Sequence, residues 1–460
     1  MQAWFIEQFC IRLNKMNNLE KALVLSIWTM APFGNTIGQI IPGQKDTLIL
    51  SLPEVWTKAE AFSRKIAISN KEIVIRKEAY ADARMERYPD IGVKGTAERA
   101  TNIPIYDHGL FHTPSQHEVI HNLYKVSGEF YLNIYNGNKL NLKIREERTL
   151  QELALIEKDQ TVAQVRYESA QLYLDLQKSL IFLNLVRQDI LDQEKQLEEI
   201  SSLYKNGVIL KSDVLRVELD LSKRRMLEVE IRNDILIANQ KLNILIGEPD
   251  ERVILPAGLT DLEVSHAENY DACLQQALTH SFDYQVSEEM TKLSELHLKQ
   301  VQANVRPQIG LYGEYYFMNP QIFLYPYNPY WYSLGIAGLR VSFPLSSLYH
   351  NIHKKRGTQM ELEKEEEAHK ETADRVRQQV REAYLRYEEA NVRIGVSEAN
   401  VKQAVENARI IKETYFKQAV LITDLLDADI QVLQTRFELE AAKMDAQTRY
   451  YFLKNVIGTI

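Results

Sequence analysis

The chain repeats itself, and this constrains its fold more than any other feature. Tyr204 recurs as Tyr415, Asp213 as Asp424, and Leu245-Ile246-Gly247 as Val456-Ile457-Gly458, all at one constant offset. A long helical run leads up to each tyrosine. In the first, from about Asn138, the residues Leu155, Val162, Leu176, Leu183, Ile190, Leu197 and Tyr204 recur every seventh position, with Ser169 the polar member. In the second, from about Ser347, Val376, Ala383, Ala390, Ser397, Ala404 and Ile411 run beside Val380, Tyr387, Ile394, Val401, Ala408 and Tyr415. The same interval continues after each turn, through Val214, Leu221, Ile235 and Leu242 with Glu228 the exception, and through Leu425, Val432, Leu439, Ala446 and Leu453. Seven-residue spacing marks helices that pack along a coiled-coil seam, and a repeat of this length means one structural unit built twice.

Each copy also contains strand-like sequence. Between Arg306 and Pro344, Ile309, Leu311, Gly313, Tyr315 and Phe317 hold one parity and Gly310, Tyr312, Glu314 and Tyr316 the other, the period-2 pattern of a strand with two different faces. In the first copy Ile91, Val93, Gly95 and Ala97 alternate with Gly92, Lys94, Thr96 and Glu98, and Phe130, Leu132 and Ile134 alternate with Glu129, Tyr131, Asn133 and Tyr135. YPDIGV at 88 corresponds to RPQIGL at 306, at a larger offset. A helix over 52–85 precedes the first strand pair, and one over 267–305 the second. In the return strand, Leu334 and Ile336 hold one parity and Leu339, Val341 and Phe343 the other, which predicts a bulge or twist near Gly338.

The resulting division is a leader over 1–38 and a first repeat over 39–249, with strands at about 89–99 and 127–137 and a tip at about 204–213. An irregular connector over 250–265 leads to a second repeat over 266–460, with strands at about 307–318 and 331–344 and a tip at about 415–424. Ala22 to Gly34 is an apolar run of export-signal length behind Lys15 and Lys21, with an alternative start at Met16 and cleavage expected between Gly34 and Gln39. A buried N-terminal helix is the other reading of that run. Cys10 and Cys273, the only cysteines, leave no disulfide framework once the leader is removed. A formal net charge of -8, with no basic tract interleaved with aromatics, argues against a nucleic-acid partner.

Each unit donates two strands, and four strands cannot close a barrel with an interior. In lipid every backbone group must be paired, so several chains would have to share one barrel. Helices of ~65 residues would extend roughly 100 Å from it. The duplicated helix, strand-pair and helical-hairpin unit, the X-Pro lead-in to each first strand and the turn YKNGVILKSDVL resemble the TolC-like family of bacterial outer-membrane efflux proteins, over about residues 50–460. The resemblance implies a fold that is mainly α with membrane β: a homotrimer with an α-helical tunnel across the periplasm and a shared 12-stranded β-barrel in outer-membrane lipid. It also implies docking to a periplasmic adaptor protein and an inner-membrane pump.

The segment VLITDLLDAD is similar to the family segment in which two aspartates narrow the periplasmic entrance; here they are Asp424 and Asp427. Their i, i+3 spacing puts both on one helix face. Acids in a first helical turn also complement the helix dipole, and the two roles are compatible. Where the family carries a glycine this chain has Gln418-Ala419, and where it carries a basic latch residue this chain has Val420, opposite Ser212 and Asp213. The tips, with Tyr204, Gly207, Asp213 and Tyr415, are the expected adaptor-docking residues. Tyr325, Tyr327, Tyr330, Trp331 and Tyr332 form a candidate aromatic belt at the membrane interface. HEVIH, His117 to His121, fits the zinc-protease pattern HExxH, but a metalloprotease needs it on a helix with a third ligand downstream, and here it follows Pro114-Ser115-Gln116 in a loop. With His108 and His112 nearby, adventitious metal binding is the milder alternative. No phosphate loop, nucleophile elbow or zinc ribbon is present, so no cofactor and no catalysis are expected. The expected function is an outer-membrane exit duct of a tripartite efflux or type I secretion system, passive and fed by a separate pump. The alternative is an envelope coiled-coil adaptor or scaffold without a pore.

Overall fold

The computed structural model describes residues 47–258, 267–321 and 328–460. The proposed leader with Cys10 and Met16, most of the connector's second half, and Tyr325 and Tyr327 lie outside the described residues. In chain order the elements are β1 (Thr47–Leu50), α1 (Leu52–Phe62), α2 (Arg64–Met85), β2 (Asp90–Arg99), β3 (Ile103–Ile105), β4 (Ser115–His117), β5 (Asn122–Asn136), α3 (Lys139–Lys205), α4 (Lys211–Ile246) and β6 (Val253–Pro256). There follow α5 (Tyr270–His280), α6 (Phe282–Ala303), β7 (Gln308–Asn319), β8 (Tyr332–Ser342), α7 (Ser347–Phe416) and α8 (Ile422–Ile457). The order helix pair, strand pair, long helix, shorter helix occurs twice.

The long helices α3 and α7, of 67 and 70 residues, pack against α4 and α8 respectively to make two helical hairpins. Each α4 or α8 ends in a glycine with positive φ, Gly247 at +75° and Gly458 at +85°, the left-handed stop that terminates a helix without a Cβ penalty. Two equivalent cores hold the repeats. Val55, Ala59, Leu176, Leu242, Ile246 and Ile254 are buried around α1, and Ala277, Val376, Val380, Tyr387, Leu453 and Ile457 around α5. A third core joins the hairpins near their tips, where Ile200 and Val217 of the first meet Tyr415, Ile422 and Leu425 of the second.

Three sequence expectations are corrected. The helix over 52–85 is two helices broken at Ser63, and the helix over 267–305 is two broken at Ser281, related by the larger offset that links the two X-Pro lead-ins. Ser63 closes α1 and caps α2, its hydroxyl accepting from the Ile66 amide at 3.4 Å. The connector is not wholly irregular: β6 pairs in parallel with β1, from Thr47↔Val253 to Leu50↔Pro256. Four-residue strands are too short to show a period, and their partners lie a whole repeat apart. Finally, β7 and β8 keep one register from Gln308↔Ser342 to Met318↔Tyr332, with no bulge at Gly338; the irregularity is between β5 and β7, at Asn133/Tyr135.

The main sheet has order β2-β5-β7-β8, all antiparallel, with β2 and β8 as its edges. Aromatic rings lie over the glycines of adjoining strands: Tyr131 over Gly310, Phe130 over Gly313, Tyr315 against Gly335. A Cβ at Gly310 or Gly313 would occupy the ring's place, so these glycines are there for close packing.

Candidate functional site

Register assigns every strand residue to a face, because directly paired residues point the same way. One face carries Ile91, Val93, Val126, Phe130, Leu132, Ile309, Leu311, Tyr315, Phe317, Leu339 and Val341. Its one charged residue among the paired positions is Arg99, at the end of β2 remote from the helices. Val93 is 81% exposed and Val341 68%, so at both edges of the sheet this apolar face is left uncovered by the described residues. The opposite face carries Asp90, Lys94, Glu98, Lys125, Glu129, Glu314 and Arg340. The parity switch in β8 therefore arises because Leu334 and Ile336 stand on the charged face, not because the strand kinks.

At the other end of the hairpins, the two tips are built alike. In the first, the amides of Gly207 and Val208 donate to Tyr204 O at 2.9 Å and Leu203 O at 3.0 Å; in the second, those of Gln418 and Ala419 donate to Tyr415 O at 2.7 Å and Thr414 O at 3.1 Å. The turn requires positive φ, +74° at Gly207 and +63° at Gln418, so the second tip holds a side chain where the first has glycine. Asp424 and Asp427 are both exposed on α8, while Leu425, Leu426 and Ala428 between and beside them are buried. The Asp424 carboxylate accepts the Leu421 amide at 3.0 Å, so it caps the helix in addition to any role on the surface.

The remaining tip residues separate. Tyr204 is 41% exposed and Asp213 half-buried, but Tyr415 is 6% exposed within the core that joins the two hairpins, its hydroxyl pushed up by burial and by the nearby Asp213 charge. Tyr415 thus packs the tips together and presents no docking surface. Two exposed leucines missed from sequence, Leu210 at 71% and Leu421 at 70%, occupy matching N-cap positions. Leucine is poor there, and its recurrence at the repeat offset was the available signal. Val420 contributes to the apolar contact between tips and offers no ionic latch.

Above the tips, α3 and α4 bury a charge cluster. The Arg224 side chain is 4% exposed, donates through Nε to Asp220 at 2.7 Å and pairs with Asp189. Burial pushes the Asp189 carboxyl up despite Arg224, because one guanidinium is shared between two carboxylates and Asp429 adds a further negative charge; Arg224 itself is held charged. Asp429 of α8 accepts from Gln193 at 3.1 Å and Gln196 at 3.0 Å, both buried on α3.

Of the proposed belt, Tyr330 and Trp331 are 76% and 58% exposed, and Trp331 stacks on Tyr124 of the apolar face with centroids 6.3 Å apart. Tyr332 turns to the charged face, its hydroxyl 3.3 Å from the Met318 sulfur. His117 lies in β4 and His121 in the following loop, its Nδ1 2.9 Å from Ala100 O. HEVIH is therefore on strand and loop rather than on the helix that a zincin requires. Among the described residues no group of three or more metal-ligating side chains comes together.

The arrangement defines a class of protein: a two-faced β-sheet segment set on long helical hairpins. No family model and no curated protein matches the sequence. Solved structures do. CusC, reported in terms of folding and transmembrane channel formation, superposes with a TM-score of 0.74 at 13% identity, covering 91% of this chain and 95% of that one. The outer membrane protein VceC from Vibrio cholerae gives 0.70 at 15% identity, over 88% and 96%. The MtrE outer membrane channel of Neisseria gonorrhoeae, in its open state, gives 0.68 at 14% identity, over 88% of each chain. The fold of this chain is thus the one these solved membrane proteins share.

Proposed function

We propose that the chain is one subunit of an outer-membrane exit duct reaching into the periplasm, a passive conduit for solutes driven by a separate inner-membrane pump. The sheet carries the reading: an uncovered apolar face, a charged opposite face and two unpaired edges in one four-stranded segment. In lipid those edges must be paired, and three copies supply twelve strands that close edge to edge with the apolar face outward. A second feature supports assembly. On α4, Leu215, Leu219, Met226, Val229 and Leu236 are each at least half exposed at heptad spacing, a seam that fits a helix of another copy.

In a trimer the exposed Asp424 and Asp427 recur around the axis as a ring of carboxylates at the narrow end, where they attract cations. The tips, with Leu210 and Leu421 exposed, are the surface offered to a periplasmic adaptor. Passage through such a lumen needs no bond chemistry, so the chain is read as a non-enzyme. Membrane fractionation tests the duct: an outer-membrane trimer resistant to SDS until heated is expected, and a soluble monomer would return the reading to a scaffold. In planar bilayers, Asp424→Ala with Asp427→Ala should raise single-channel conductance or weaken block by divalent cations; no change in either removes the gate assignment.

A further inference from the structure

The charged face of the sheet holds a compensated set of charges. Lys94 of β2 pairs with Glu129 of β5 at 2.5 Å, and Lys125 of β5 pairs with Glu314 of β7 at 2.5 Å. Glu129 and Glu314 stand directly opposite each other across β5 and β7. Like charges placed so are destabilising, and here each carboxylate is answered by a lysine from another position, giving a line Lys94, Glu129, Glu314, Lys125 over three strands. Lys125 Nζ also lies 4.7 Å from the centre of the Tyr316 ring. The other charged residues of this face, Asp90, Glu98 and Arg340, are spread towards the strand ends, with Arg340 seated over the Tyr312 ring at 4.7 Å.

We propose that Lys94 and Lys125 are selectivity-determining residues: by cancelling Glu129 and Glu314 they make the middle band of the sheet-lined lumen indifferent to solute charge, so that cationic and anionic cargo pass that band alike. The inference rests on the duct reading above, with the charged face inward. Unanswered, the two glutamates of each copy would form a belt of six carboxylates in a trimer, and such rings concentrate cations and repel anions. Paired at 2.5 Å, each becomes a short dipole whose field fades within a Debye length of about 10 Å at 0.1 M salt. Discrimination by charge is thereby left to the charges nearer the strand ends, Asp90, Glu98 and Arg340, and to Asp424 and Asp427 at the far end.

The test is the reversal potential of the reconstituted full-length protein across a KCl gradient at about 0.01–0.1 M, where screening is weak. Lys94→Gln with Lys125→Gln should shift it towards cation preference, and Glu129→Gln with Glu314→Gln towards anion preference, each changing the permeability ratio about two-fold or more. Lys94→Cys with Lys125→Cys guards against misassembly, because the assembled pore is modified in place. A 2-aminoethyl thiosulfonate should restore the wild-type ratio, and a 2-sulfonatoethyl reagent should push it further towards cations. Variant pores whose permeability ratios all match the wild type, or move the same way for both glutamine pairs, overturn the proposal while leaving the duct intact. A wild-type protein that forms no pores overturns the duct reading, and this inference with it.

Discussion

Replacing Arg224 by leucine tests the buried charges of the first hairpin. The side chain is 4% exposed, and its loss leaves Asp220 and Asp189, 10% and 15% exposed, facing each other without a cation. Breaking a buried ion pair from one side costs about 3–5 kcal/mol, because the remaining charge stays desolvated. With an unfolding entropy of about 2 cal/mol/K per residue over roughly 400 residues, ~1 kcal/mol moves a melting midpoint by ~1 °C, so a drop of about 3–5 °C is expected by circular dichroism in detergent. The internal repeat supplies the control. At the repeat offset Asp189, Asp220 and Arg224 correspond to Asn400, Gln431 and Thr435, which line a polar cleft of ≈ 490 Å³ in the second hairpin. The triple variant Asp189→Asn, Asp220→Gln, Arg224→Thr removes all the charges together and should recover at least half of the loss, since a buried ion pair is stabilising only relative to its broken form. If the triple variant melts as low as Arg224→Leu, or Arg224→Leu melts with the wild type, uncompensated charge is not what the arginine relieves.

Three further outcomes follow from local geometry. Gln418→Gly should stabilise the second tip by about 1 kcal/mol, because Gln418 holds φ +63° where the matching Gly207 pays no Cβ penalty; an unchanged or lower melting midpoint would refute it. Gly458→Ala should destabilise more than Gly247→Ala: both glycines have positive φ, but the new methyl at 458 meets the His280 backbone carbonyl, whereas at 247 it meets the Phe62 ring, which can turn aside. Parallel thermal melts decide the order. Burial raises the Asp189 carboxyl above its ordinary value, so its share of stability is complete below that value and is lost as pH rises through the raised one. Asp189→Asn removes this dependence, so the difference between variant and wild-type midpoints should grow in the variant's favour from about pH 4 upward, and a constant difference would count against the buried carboxyl.

Much of the architecture could be read without coordinates. The repeat offset, the heptad series and the period-2 blocks are short-range patterns, and the element types they imply depend on the spacing of apolar residues along the chain. The i, i+3 spacing of Asp424 and Asp427 likewise needs only helical geometry to put both acids on one exposed face. Other features depend on which segments meet. β1 and β6 are each four residues long and gain strand character from each other. Tyr204 and Tyr415 are equivalent in sequence, yet the second is buried because the two hairpins meet around it. Alternation along β2 and β5 shows that each strand has two faces, but which residues share a face across four strands follows from register alone. That register brings Lys94 to Glu129 and Lys125 to Glu314, and leaves the opposite face almost free of charge. Pairing across strands is a long-range property: a change of one residue in register would place every one of these side chains on the other face.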